Sequence, residues 1–327
     1  MGVKIYQSFY KNIECLAMES EQLLVKIIPE SGSKIQSIYD KRLKKEYRYQ
    51  SQNKKYTWSA YDTNFGVGDT SGFDEVFPSI EECFYPLMPW KGTRIPDHGE
   101  VWAIPWNYEI KENHIYLEVN GTRFPYKLEK RIEFLRDNCL RITYKVKNPS
   151  CFDFNFSWVP HPLFNSDPYT RIIFPKSVKK VMSTCSVDNK LGKFGEIHEW
   201  PVTEVDGDLY DISKVYPKYA GKCEKYYAAG KMDEGWCALH NTLSGSTVGI
   251  SYPVDKVPYL GVWEGIMNGV YVTALEPCTA ALDYLDTAIQ WNQVSVVKAG
   301  SEYEWYLNLT FDTVKEINGI DEIGLIK

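Results

Sequence analysis

The sequence predicts an all-β protein, and three observations carry this. Apolar residues recur with period two over most of the chain, as in half-buried strands. Turn-forming residues punctuate it at short intervals, which points to a large sandwich or barrel. No long amphipathic helix is visible, and only Asp312 to Ile323 reads as one short helix.

Leu23 to Ile28 and Lys34 to Tyr39 read as strands joined across Pro29 to Ser33. Ile115 to Val119 is a strand that meets Asn120-Gly121, a two-residue hairpin signal. Phe124, Tyr126, Leu128, Ile132 and Phe134 then share one phase, which Lys130 interrupts. Asp137-Asn138 is the turn into Leu140 to Val146, where Leu140, Ile142, Tyr144 and Val146 alternate with Arg141, Thr143 and Lys145. Val294 to Val297 and Tyr303 to Phe311 repeat the pattern, with Tyr303, Trp305, Leu307, Leu309 and Phe311 on one face. Two stretches are not strand-like: Ser51 to Gly99, rich in Gly and Pro, and Pro175 to Glu234. Neither has linker composition, so residues 1–327 are read as one domain decorated by loops. Long loops in compact domains are uncommon and often functional.

The formal net charge of -6, without a basic stripe, argues against a nucleic-acid partner. Lys41, Arg42, Lys44 and Lys45 form the densest basic run, read as a solvated turn. The 15% aromatic content suits strands, and flat rings also cover the C–H faces of sugars; composition does not separate the two. Eight cysteines at irregular spacing, with no CxxC, carry no zinc or redox motif and fit free thiols in a reducing cytoplasm. Met1 to Tyr6 lacks an apolar signal core, and no run reaches the roughly eighteen apolar residues of a membrane span.

Five histidines are few enough to weigh singly. His114 opens a strand and His240 ends one, and both read as structural. His198 lies in the second irregular stretch without supporting flanks. His98 lies in Ile95-Pro96-Asp97-His98-Gly99-Glu100, and His161 in Trp158-Val159-Pro160-His161-Pro162-Leu163-Phe164. The two prolines imply a strand edge or terminus. Each of these histidines is either a hydrogen-bonded residue of a rigid turn or a proton carrier. Glu276 ends the apolar strand Val270 to Leu275 and precedes Pro277. It is either exposed there or held in a cleft, where burial would raise its pKa and make it a base near neutrality.

Taken in order, six segments resemble the aldose 1-epimerase, or galactose mutarotase-like, family over most of the chain. They are Ile28-Pro29-Glu30-Ser31-Gly32-Ser33-Lys34-Ile35-Gln36-Ser37-Ile38, Gly72-Phe73-Asp74-Glu75-Val76-Phe77-Pro78, Asp97-His98-Gly99-Glu100, His161-Pro162-Leu163-Phe164, Leu260-Gly261-Val262-Trp263 and Leu275-Glu276-Pro277. No single motif is specific; their order and spacing carry the likeness. The resemblance implies a β-supersandwich of two large antiparallel sheets, with a cleft on one concave face. It implies two catalytic histidines and a glutamate, matched here by His98, His161 and Glu276, and no metal or organic cofactor.

The implied reaction interconverts the α and β anomers of a free hexose. A base takes the O1 proton while an acid protonates the ring oxygen. Rotation about C1–C2 and closure complete the exchange. Glu276 is expected as the base at O1 and His161 as the acid, with His98 hydrogen-bonded to the ring oxygen. The family's arginine falls near Phe73, Asp74 and Glu75, and the nearest arginine to His98 here is Arg94. Arg94 binds a sugar hydroxyl or a phosphate, or else pairs with Asp97. Asp233 is a candidate substrate-binding acid, or a loop acid. Trp263 floors the pocket or fills the core.

A hexose 6-phosphate mutarotase and a non-catalytic carbohydrate-binding protein are the alternatives. Lys91 and Arg94 offer thin support for a phosphate, which favours clustered cations. A hydrolase ranks last, because the adjacent acids Asp74-Glu75 and Glu81-Glu82 would point to opposite faces of a strand. The expected partner is a monosaccharide, and the expected assembly a monomer or homodimer.

Overall fold

The computed structural model describes residues 2–187, 190–215, 223–267 and 269–327. Three large antiparallel sheets carry the fold. The seven-stranded sheet comprises Lys4–Tyr10, Ile13–Glu19, Leu23–Ile28, Lys34–Asp40, Lys45–Glu46, Phe73–Val76 and Val159–Pro162. The eight-stranded sheet comprises Asn107–Ile110, His114–Asn120, Lys127–Arg136, Cys139–Lys147, Thr170–Ile173, Trp236–Asn241, Ser246–Ser251 and Glu302–Thr313. The six-stranded sheet comprises Phe164–Ser166, Lys180–Ser186, Ile197–Glu199, Cys223–Ala228, Tyr259–Met267 and Val270–Cys278. No described helix is long and apolar enough to cross a membrane.

The alternation read in the sequence is the alternation of burial. Leu140, Ile142, Tyr144 and Val146 are all buried, opposite Leu309, Leu307, Trp305 and Tyr303 on Glu302–Thr313. Tyr144 and Trp305 meet Trp158 at ring-centroid distances of 4.5 and 5.2 Å, which joins the eight-stranded sheet to the segment leading into Val159–Pro162. Lys130 keeps the phase of its neighbours rather than breaking it. It is fully buried and paired with Glu75 at 2.7 Å, and Glu75 also accepts from Tyr144 Oη and Trp158 Nε1.

Three local expectations differ. Asn120 pairs with Lys127, so the hairpin loop is longer than two residues. Tertiary bonds hold it open: Glu100 accepts from the Thr122 and Arg123 amides and from Tyr126 Oη. The helix expected over Asp312 to Ile323 is absent, because Asp312 and Thr313 continue the ladder with Thr247 and Ser246. The described helix is Leu285–Gln290 instead. Among the described residues, Pro175 to Glu234 contains five strands, the last being Cys223–Ala228.

The site is set by one chain crossing. Val159–Pro162 ends the seven-stranded sheet and Phe164–Ser166 ends the six-stranded one, with Leu163 between them. A sheet edge tolerates the missing N–H groups of Pro160 and Pro162. The pairing of the Trp158 and Thr279 backbones brings this crossing beside Val270–Cys278.

Candidate active site

Three neighbouring strands of the six-stranded sheet build one wall. Tyr227 pairs with Gly261, and Gly261 with Glu276; Lys225 pairs with Trp263, and Trp263 with Ala274. Paired residues share a face, and period two adds Lys225 to the face of Tyr227. Gly261 keeps the middle of this patch open. A Cβ there would lie 3.0 Å from Tyr227 Cε1 and 3.4 Å from Glu276 Oε2. The gap lets the Lys225 ammonium bond Glu276 Oε2. Lys225 Nζ also lies 3.7 Å from Asp283 Oδ1, which accepts from Tyr227 Oη at 2.8 Å.

His161 enters from the strand Val159–Pro162. Its Nδ1 donates to Glu276 Oε1 at 2.6 Å. His98 enters from a loop with left-handed backbone, φ +58° at His98 and +76° at Gly99. Gly99 packs on the Phe77 carbonyl with no room for a Cβ, so glycine is required there. The His98 amide donates to the Ile80 carbonyl at 2.6 Å, and His98 Nδ1 to Asp97 Oδ1 at 2.7 Å. Asp97 Oδ2 accepts from the Phe65 amide, and the Phe65 ring stacks on His98 at 4.0 Å and meets His161 edge-on at 5.4 Å.

The result is two imidazoles with centroids 5.5 Å apart, each tied at Nδ1 to its own carboxylate. Each keeps Nε2 without a hydrogen-bond partner among the described residues, and both line a cavity of about 390 Å³. Lys225, Trp263, Glu81, Asp283 and Phe65 share that wall. The volume suits a monosaccharide, since small-molecule sites run from roughly 300 to 1,000 Å³. Among the described residues, no group of three or more His, Cys, Asp or Glu side chains is arranged to hold a metal ion.

No protein-family model matches the chain, and no curated protein matches it in sequence. Solved structures do match. A galactose mutarotase-like protein from Clostridium acetobutylicum superposes with TM-score 0.65 at 14% identity, covering 96% of this chain and 99% of that one. A galactose mutarotase related enzyme from Lactobacillus acidophilus gives 0.60 at 16%, covering 96% and 99%. A candidate aldose 1-epimerase from Escherichia coli K12 gives 0.62 at 14%, covering 96% and 100%. The fold is galactose mutarotase-like.

Within this mutarotase-like fold, His98, His161 and Trp263 line one cavity, and Glu276 lies directly behind His161. The expectation that burial would make Glu276 a base near neutrality is overturned. Burial acts to raise its pKa, but Lys225 and His161 outweigh it and hold the carboxyl at about 2. Lys225 is the converse case. Burial acts to lower its pKa, and Glu276 and Asp283 raise it above the ordinary value.

Two expected binding residues lie elsewhere. Arg94 spans Glu82, at 2.8 Å from Nε and 2.6 Å from Nη2, and also bonds Asp62. Its guanidinium is therefore committed outside the cavity, and Asp97 pairs with His98 instead. Asp233 is exposed and borders a separate depression with Lys179, Lys180 and Lys231, because the chain leaves the sheet after Ala228.

Sequence reasoning missed Lys225 and Asp283, and weighed Glu81 only as one of an adjacent acid pair. Burial, then Asp283, pushes the Glu81 carboxyl above its ordinary range. The available signal for the wall was Lys225-Tyr226-Tyr227, an alternating pair on a short apolar run inside a stretch read as loop.

Proposed function

We propose that this protein is an aldose mutarotase acting on an unphosphorylated hexose. The observation that carries the proposal is the pair of histidine–carboxylate dyads facing one sugar-sized cavity. Ring opening needs simultaneous proton removal at O1 and proton delivery at the ring oxygen. His161 Nε2 takes the O1 proton, and Glu276, at 2.6 Å from Nδ1, stabilises the imidazolium that forms. His98, fixed at Nδ1 by Asp97, gives a proton from Nε2 to the ring oxygen. Closure on the other carbonyl face reverses both transfers. Glu276 thus acts through His161, in place of the direct role at O1 expected from the sequence.

Trp263, with its ring 6.0 Å from that of His161, offers a flat apolar face to the sugar. Glu81 and Asp283 accept from hydroxyls and repel a phosphate dianion. The likeness to a galactose mutarotase related enzyme supports the reading at the level of fold. The same reading assigns the protein to a reducing cytoplasm, on eight cysteines at irregular spacing without a CxxC, and keeps residues 1–327 as one catalytic unit.

A non-catalytic sugar-binding protein is the second reading. It is favoured by one observation: Glu276 is 0% exposed and stands off the cavity wall. Saturation-transfer NMR of glucose, galactose and their 6-phosphates separates the two. Accelerated anomer exchange of a free sugar, lost in His161→Asn, is the expected result. Binding without acceleration on any of them would sink the enzymatic reading.

A further inference from the structure

We infer that Lys225 is a catalytic residue, whose ammonium donates a hydrogen bond to O1 of the bound sugar as that oxygen loses its proton. The inference rests on the mutarotase reading above and adds a group to it.

Among the described residues, Lys225 is the only lysine or arginine on the wall of the cavity. Its side chain is almost wholly buried, so the charge is not there for solubility. Two carboxylates fix it from behind: Glu276 by a direct bond and Asp283 at 3.7 Å. An ammonium carries three N–H donors, and these acceptors leave at least one for a ligand. Glu276 bonds His161 through Oε1 and Lys225 through Oε2. One carboxylate therefore sets the positions of both the imidazole and the ammonium.

The chemistry needs such a cation at that place. When His161 removes the proton, the electron pair of the O1–H bond stays on O1. It then forms the carbonyl as the C1–O5 pair moves to the ring oxygen, which takes its proton from His98. Until that second transfer is complete, O1 carries negative charge. A fixed donor aimed at it acts mainly in the transition state, and removal of one such donor costs roughly 10²–10³ in kcat. A buried lysine serving only as a counterion would act on Glu276 alone.

The test is a double-mutant cycle in anomer exchange, with wild type, Lys225→Met, Glu276→Gln, the double variant and Lys225→Arg. Circular dichroism and thermal unfolding check each fold. Lys225→Met is expected to lower kcat by about 10²-fold with KM changed little, and Lys225→Arg to restore part of the loss. Lys225→Met strands a buried carboxylate and risks misfolding, so the double variant, which removes both charges, is the decisive comparison. It should be at least ~10-fold slower than Glu276→Gln alone if Lys225 touches the substrate. Equal rates in those two would show that Lys225 works only through Glu276 and would overturn the inference while leaving the mutarotase reading intact. A folded wild type that accelerates no sugar would overturn the reading, and the role of Lys225 with it.

Discussion

Replacing Glu276 with glutamine tests the geometry at two levels. The carboxylate is 0% exposed, and its two oxygens are taken by His161 and Lys225. Glutamine keeps the shape and one acceptor but removes the charge that steadies both partners. Catalysis should fall by about 10²–10⁴, the usual worth of a general acid–base device. Stability falls as well. Burial raises the carboxyl pKa, Lys225 and His161 lower it further, and the net change is from 4.5 to about 2. At 1.36 kcal/mol per unit, that shift is worth about 3 kcal/mol to the folded state. The folded pKa is depressed, so this contribution is complete above pH 4.5 and disappears as pH falls through about 2. Urea unfolding at pH 7 and at pH 3 measures it. Wild type should lose part of its stability between these two conditions. Glu276→Gln should start about 3 kcal/mol lower at pH 7 and lack that component of the pH dependence. A variant within about 1 kcal/mol of wild type at pH 7, with exchange above a third of normal, would refute the argument that one ionised carboxylate holds the site.

The remaining predictions concern neighbours of this cluster. Gly261→Ala puts a methyl 3.0 Å from Tyr227 and 3.4 Å from Glu276, so exchange should slow by about tenfold while the thermal midpoint moves little. Trp263→Ala should raise KM by roughly fivefold through loss of a stacking face, read directly from the substrate dependence of exchange. Arg94→Ala and Asp233→Asn should leave the exchange rate within about twofold, because both side chains lie outside the cavity; a tenfold loss in either would mean that the substrate reaches beyond the wall described here.

The strands were legible where one face of a sheet is buried and the other is not. Leu140 to Val146 shows this residue by residue, since apolar and polar positions alternate with burial. Cys223–Ala228 was not legible because both of its faces are covered, and Glu224 and Lys225 are as buried as Tyr226 and Tyr227. Charged residues on a two-sided buried strand remove the period that marks a strand, so the segment read as loop and took Lys225 with it. His98, His161 and Glu276 stood out in the sequence because each sits in a short run whose proline or glycine constrains the backbone. Arg94 and Asp233 had the right chemistry and the wrong surroundings. The acids that claim Arg94, Asp62 and Glu82, are thirty-two and twelve residues away in the chain, and no local signal announces them.

A buried carboxylate can be turned to catalysis in two opposite ways. Isolated in an apolar pocket, its pKa rises and it becomes a base in its own right. Surrounded by cations and donors, its pKa falls and it becomes a fixed negative charge that organises others. Glu276 is of the second kind, with Lys225 on one oxygen and His161 on the other. In the proposed mutarotase, proton transfer then passes to the group with a free nitrogen on the cavity wall, His161, whose positive form the carboxylate would stabilise as it forms. His98 and Asp97 repeat the arrangement on the facing side. An anomer exchange that must run in both directions needs two groups able to swap acid and base roles, and two imidazoles of matched construction meet that need better than a carboxylate held at about 2.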